Sequence, residues 1–172
     1  KGQEDALMWV MPSDHLMQEP TQFIEAYKRL LPWAQNDYLA TFGIEAKKPH
    51  TGYGYIQIGQ ALEEQVYTIG SFIEKPTLEL AQKLIAQKNH YWNSGIFLFK
   101  VSAYIEELKQ HAPDILEKTR KSLPKNRYHQ DLIHLNSEAF AECRDQSIDY
   151  AVMEKTTRSV VTPMEAGWSD LG

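Results

Sequence analysis

Ala6-Leu7-Met8-Trp9-Val10-Met11 is a continuous apolar run that stops at Pro12, and Pro12-Ser13-Asp14-His15 follows it at once. A run of strand length without polar alternation reads as a strand covered on both faces of a sheet, which puts the polar residues after it at the sheet's carboxyl edge. The period then changes. Past Pro20, Thr21 can cap a helix whose Phe23, Ile24, Tyr27, Leu30 and Leu31 share one face, and Pro32 ends or kinks it. Residues 38–44 read as a second strand, and Thr51-Gly52-Tyr53-Gly54-Tyr55-Ile56-Gln57-Ile58 as a glycine-punctuated turn entering a third. A strand over 67–73 closes on Glu74-Lys75-Pro76, and a helix from about Thr77 turns Leu80, Ala81, Leu84 and Ile85 inward.

A further strand over 96–99 follows the polar residues 93–95. Ser102 can cap a helix carrying Tyr104, Ile105 and Leu108, and Pro113 suits the first turn of the next. The stretch from about 121 to 145 is polar, mostly helix or loop, and leads to 147–155, a short strand near 159–162 and a terminal Gly167-Trp168-Ser169-Asp170-Leu171-Gly172. Strands alternating with helices predict an α/β sheet with flanking helices, and ligands of such sheets gather beyond the strands' carboxyl ends. Asp14, Glu74, Lys75 and Asp170 all follow apolar runs closely, so this fold can bring them to one edge.

Composition narrows the partners. At 172 residues the chain is about one domain long, enough to bury roughly 70% of its unfolded surface without a disulfide or metal staple. The net charge of −5 and pI near 5.7 exclude a nucleic-acid partner, which wants a basic face. A single cysteine, Cys143, allows no intramolecular disulfide and fits a reducing compartment. The apolar runs fall far short of the roughly 18 residues of a membrane span, and no signal peptide opens the chain, so a cytoplasmic protein with no membrane partner is expected. Lys1 opens the chain with a strand close behind it, which reads as a piece of something longer. The oligomeric state stays open, a homo-oligomer included.

The chemistry is concentrated in Tyr91-Trp92-Asn93-Ser94-Gly95-Ile96-Phe97, where a polar corner separates an aromatic pair from an apolar run. Asn93 offers two donors and an acceptor, Ser94 a hydroxyl, and Gly95 lets backbone come close to a bound molecule, a set that suits a hydroxyl-rich ligand such as a sugar. Asp14 and Asp170 are carboxylates that, about 4 Å apart, would repel by roughly 4 kcal/mol at an effective dielectric near 20. A divalent cation relieves that repulsion. Oxygen ligands suit Mg²⁺, whereas zinc wants closely spaced His or Cys, and His15 alone is not a zinc site. Each group also has an ordinary explanation: a cap or turn for the aspartates, a solvated pair for Glu74 and Lys75, a hairpin entry for Gly52 and Gly54, a surface pair for Glu154 and Lys155. Ser94 has no evident His and Asp partners for a hydrolytic triad.

Taken in order, Val10-Met11-Pro12-Ser13-Asp14-His15, Thr41-Phe42-Gly43-Ile44 leading to Thr51-Gly52-Tyr53-Gly54-Tyr55-Ile56, Phe72-Ile73-Glu74-Lys75-Pro76, Trp92-Asn93-Ser94-Gly95-Ile96-Phe97, Ser147-Ile148-Asp149-Tyr150-Ala151-Val152-Met153-Glu154-Lys155 and Trp168-Ser169-Asp170-Leu171-Gly172 resemble the sugar nucleotidyltransferases. Within them the likeness is to the bacterial mannose-1-phosphate guanylyltransferases. The resemblance covers nearly the whole chain. It implies a Rossmann-like α/β nucleotidyltransferase with a mixed sheet and flanking helices, joining GTP and mannose 1-phosphate into GDP-mannose and pyrophosphate. It implies Mg²⁺ on Asp14 and Asp170, Lys75 on the sugar phosphate, and Glu74 and Asn93, with Ser94 and Gly95 beside it, on the sugar hydroxyls. Gly52, Tyr53 and Gly54 then form the turn lying against the sugar.

The pattern departs from the family in one half of the site. The family's Gly-rich loop with its Arg and Lys, which cradles the nucleotide phosphates, has no counterpart here, since Gly2 and Gly43 stand alone. Residues 1–172 are therefore expected to be a single partial domain, the metal and sugar-phosphate half, with little activity by itself. Position 50 carries His where relatives often carry an acid. Rival readings are a pyrophosphorylase for another sugar or nucleotide, a non-catalytic sugar-phosphate-binding relative, and a metal-dependent phosphohydrolase using Asp14, His15 and Asp170.

Overall fold

In the computed structural model, which describes residues 5–125 and 132–172, the chain runs β1 (Leu7–Val10), β2 (His15–Met17), α1 (Pro20–Gln35), β3 (Leu39–Glu45), β4 (Tyr55–Glu63), β5 (Val66–Ile73), α2 (Leu78–Ala86), β6 (His90–Lys100), α3 (Val101–His111), α4 (Pro113–Ser122), α5 (Ser137–Ala141), a π-helical turn (Asp149–Met153), β7 (Ser159–Pro163) and β8 (Trp168–Asp170). Gly2, and residues 126–131 of the polar stretch, lie outside the described residues. A six-stranded sheet has the order β1-β6-β3-β7-β5-β4, and β4 pairs with β6 as well. Among the described residues only β3 and β7 run parallel in it; the other pairings are antiparallel. The fold is thus a mixed α/β sheet with flanking helices, although the expected alternation is partial, since β3, β4 and β5 follow one another with no helix between.

The sheet sits between two apolar layers, and the strand period of two sorts side chains between them. On one side Ala40, Phe42 and Ile44 of β3 and Trp92, Ile96 and Leu98 of β6 pack with Phe23, Ala26, Leu30 and Ala34 of α1 and Ala81 and Leu84 of α2. On the other, Leu39, Phe97 and Phe99 pack with Ala103 and Leu108 of α3 and Ala151, Val152 and Met153 of the π-helical turn. Thr77 caps α2, its hydroxyl accepting from the Leu80 N–H at 3.3 Å. A cap of this kind is worth about 1 kcal/mol.

Several expectations need correction. The strand over 6–11 is not covered on both faces: among the described residues β1 is an edge strand paired only with β6, and Met8, Trp9, Val10 and Met11 are 41%, 37%, 37% and 53% exposed. Trp9 leans on α1, stacked at 4.4 Å on Tyr27. Thr21 does not cap α1, because Pro20 fills the first turn and the Glu19 carbonyl takes the Gln22 and Phe23 N–H groups. Pro32 does not end that helix, which runs on to Gln35, and Asn36 Nδ2 donates back to the Pro32 carbonyl at 2.8 Å. Ser102 lies inside α3, whose N-cap is Lys100. The strand placed over 96–99 is the second half of a longer one, β6. The sequence reading also misses β2 and β8, three residues each, too short to show a period.

Candidate active site

The Asn93-Ser94-Gly95 corner marks the point where β6 changes partners. Along one edge β6 follows β3; along the other its start pairs with β4 (Trp92↔Tyr55) and its end with β1 (Phe97↔Val10). Between those two neighbours the edge is open to a ligand. Gly95 turns there with φ +69°, in the left-handed region that favours glycine. The Asn93 N–H still donates to the Gly54 carbonyl at 2.7 Å, which fixes the glycine turn against the corner.

A cleft of about 190 Å³ opens at this point, lined by Pro12, His15, Gly52, Tyr53, Gly54, Glu74, Lys75, Asn93, Ser94, Gly95, Asp149, Trp168 and Asp170. Of the site residues expected from sequence, all but Asp14 line it, and Asp14 stands beside it. The antiparallel pairing of β2 with β8 sets His15 opposite Asp170, and the Leu171 N–H donates to the Asp14 carbonyl at 3.0 Å. One ligand atom from each of Asp14, His15 and Asp170 therefore lies within 4.8 Å of the others. Segments from the two ends of the chain are joined by this small sheet.

Glu74 and Lys75 enter from the end of β5. Lys75 is exposed with φ +46°, an unusual backbone for a side-chain-bearing residue, and Pro76 follows. Glu74 is half-buried, and Oε2 is buried with no hydrogen-bond partner among the described residues. Burial, then the nearby Asp149 charge, pushes its pKa up from 4.5 to about 7; Lys75 opposes the rise and Glu154 adds to it. A Cβ on Gly54 would collide with that Oε2 and crowd Asn93 Cβ at 3.2 Å, so glycine is what admits the carboxylate.

Asp149, from the π-helical turn, received no role in the sequence reading, although it stands in one of the quoted blocks. Asn93 Nδ2 donates to its Oδ1 at 2.9 Å, while Thr41 Oγ1 lies 3.1 Å from Asn93 Oδ1 and 2.9 Å from the Ile96 carbonyl. Burial raises the Asp149 pKa, against hydrogen bonds from Ser147, its own backbone N–H and Asn93 and the charge of Lys75. Ser94 is buried, and its hydroxyl accepts from the Ile96 N–H at 3.2 Å. Glu154 is drawn in as well, since the Glu74 N–H donates to its Oε1 at 3.0 Å, whereas Lys155 Nζ donates to the Ala151 carbonyl at 3.2 Å.

His50 organises the glycine turn. Its ring stacks on Tyr53 at 4.0 Å, its Nδ1 accepts from the Gly52 N–H, and its backbone N–H and carbonyl both bond the Tyr55 hydroxyl. Tyr53 also meets Trp92 and Trp168 edge-on, and burial followed by the Asp170 charge raises its pKa. No spacing in the sequence could signal these contacts.

The donor set at Asp14 and Asp170 suits a hard cation. His15 Nδ1 accepts from the Trp168 indole at 3.1 Å, so only its Nε2 stays open to a metal, and the remaining donors are carboxylate oxygens. Such a set could hold a divalent cation.

A mixed sheet with a polar cleft at the Asn93 corner, and a small second sheet that brings Asp14 and Asp170 beside it, accord with the class that the whole chain matches: the chain belongs to the nucleotidyl transferase family, whose model matches residues 1–172. Within that class it is 43% identical to an Escherichia coli K12 mannose-1-phosphate guanylyltransferase, over 99% of this chain and 36% of that protein. A Helicobacter pylori structure described as mannose-6-phosphate isomerase superposes with a TM-score of 0.87 at 32% identity, covering 98% of this chain and 66% of that one. A Thermus thermophilus structure described as mannose-1-phosphate geranyltransferase gives 0.78 at 30% identity, covering 95% and 46%. The chain spans about a third of the length of the curated relatives it matches. Among the described residues, no helix is long and apolar enough to cross a membrane.

Proposed function

We propose that the cleft binds mannose 1-phosphate and that residues 1–172 carry the metal and sugar-phosphate half of a guanylyltransferase, which joins that sugar phosphate to GTP and releases pyrophosphate. The observation that carries this reading is the convergence of Lys75, Glu74 and Asn93 on one cleft with Asp14 and Asp170 at its side. The similarity to the Escherichia coli guanylyltransferase supports the choice of sugar and nucleotide.

In this reading Lys75 pairs with the phosphate, Glu74 and Asn93 bind sugar hydroxyls, and Gly52, Tyr53, Gly54, Ser94 and Gly95 shape the wall against the ring. No general base is needed, because a phosphate monoester with a second pKa near 6 is already mostly ionised at pH 7. Its oxygen forms the new bond to the α-phosphorus of GTP as the bond to pyrophosphate breaks. The chain's part is to hold the nucleophile in line and to offset charge. Asp14 and Asp170 would hold Mg²⁺, which supplies further neutralisation on the phosphates. Free Cys143 fits a cytoplasmic setting.

Among the described residues, Lys75 is the one lysine or arginine lining the cleft. It can offset a monoester but not a triphosphate besides, so the chain by itself is expected to release little pyrophosphate. The test is a titration of the chain with mannose 1-phosphate in the presence of Mg²⁺, with mannose and inorganic phosphate as comparisons. Mannose 1-phosphate should bind at least about tenfold more tightly than either. Equal binding of all three, or release of phosphate from mannose 1-phosphate without GTP, would overturn the reading.

A further inference from the structure

We propose that Asp149 is a positioning residue for sugar recognition: its carboxylate decides which way the Asn93 amide is turned, so that Asn93 shows the cleft an N–H donor and not a carbonyl oxygen. The inference rests on the sugar-phosphate reading of the cleft.

Asn93 is held at both ends of its amide. Oδ1 lies toward Thr41 Oγ1 at 3.1 Å, and Nδ2 toward Asp149 Oδ1 at 2.9 Å. Thr41 cannot fix the orientation. Its single hydroxyl proton has two acceptors in reach, Asn93 Oδ1 and the Ile96 carbonyl at 2.9 Å, and if it goes to Ile96 the hydroxyl oxygen would accept equally well from a turned-round Nδ2. Ionised Asp149 is different, because a carboxylate only accepts and so admits only the amide nitrogen.

The two ends of the amide also differ in what they face. Asp149 lines the cleft, whereas Thr41 is fully buried and does not. The end set by Asp149 is therefore the end beside the ligand. With Nδ2 there, one N–H goes to Asp149 and the second is free for a hydroxyl oxygen. Were the amide reversed, a carbonyl oxygen would stand at that end, and a hydroxyl oxygen of the ligand would find no N–H donor on Asn93.

The test uses the whole chain with two probes, mannose 1-phosphate and inorganic phosphate, and the variant Asp149→Asn. The new amide can offer either an oxygen or a nitrogen, so it no longer dictates the Asn93 orientation. The variant's Kd for mannose 1-phosphate should rise about tenfold, the size of one lost hydrogen bond at a polar site. Its Kd for inorganic phosphate should stay the same or fall, since a negative charge near Lys75 has gone. A purely structural Asp149 would weaken both probes together, and that result overturns the inference. So does an unchanged Kd for mannose 1-phosphate. Failure of the wild-type chain to bind mannose 1-phosphate at all overturns the cleft reading and the inference with it. Should Asp149→Asn not fold, the wild-type chain still decides. One Asn93 Nδ2 proton must be protected from solvent exchange by NMR without sugar, and equal exchange of both contradicts the role of Asp149.

Discussion

The Glu74 N–H donates to Glu154 Oε1 over 3.0 Å, tying the end of β5 to the residue that follows the π-helical turn and gathering Glu74, Asp149 and Glu154 at one corner of the cleft. Burial first, then the charge of Asp149 and, less, of Glu154, lets Glu74 keep its proton to a higher pH than it would in water.

This raises a stability effect with a definite sign. Glu74 titrates near 7 in the fold and near 4.5 unfolded, so between those values the folded chain binds the extra proton and stability falls as pH rises. The penalty is complete above about pH 7. Glu74→Gln removes the charge and should stabilise the chain above that pH by on the order of 1–2 kcal/mol, allowing for solvent screening of a half-buried group. Below about pH 4.5 the gap should close. Urea unfolding near both ends of this range checks it; an equal difference at the two would speak against a raised Glu74.

The proposed cation site gives a second expectation. Asp14→Asn and Asp170→Asn each remove one of the two carboxylates and should cost most of the Mg²⁺ affinity that this proposal predicts. Thermal unfolding with and without Mg²⁺ reads this directly, because a ligand bound only by the folded state raises Tm with its concentration. Wild type should shift and both variants should not. A shift retained in either variant would place the cation elsewhere.

Gly95 should be costly to replace for reasons of backbone, not space. An added Cβ meets Pro12 Cγ at 3.6 Å and His15 Cε1 at 3.7 Å, which is ordinary contact, but φ is +69°. Gly95→Ala should lose about 1–2 kcal/mol by denaturant unfolding, and Gly95→Asn less, since Asn tolerates the left-handed region. Equal losses in the two would point to crowding instead.

The sequence makes the central elements legible because their side chains repeat. β3, β5, α2 and α4 appear within a residue or two of where apolar period, Thr77 and Pro113 put them. What period cannot reveal is pairing. The edge position of β1 reads as burial, since apolarity alone does not tell which neighbours exist. The short strands β2 and β8, which bring Asp14, His15 and Asp170 together, show only as a polar cluster near each end of the chain. Glu74, Lys75 and Asn93 are visible because polar residues interrupt apolar runs. Asp149 and His50 are not, because their work is to bond Asn93 and the glycine turn, contacts that spacing along a chain does not encode.

Lys75 is the residue on which the reading turns. It stands at φ +46° at the mouth of the cleft and is, among the described residues, the only lysine or arginine in its lining. Calorimetric titration of mannose 1-phosphate into the wild-type chain and into Lys75→Ala, with Mg²⁺ present, isolates its part. Loss of a charge-assisted contact to phosphate should weaken binding at least about tenfold. Equal affinity in the two proteins would contradict a sugar-phosphate site held by Lys75.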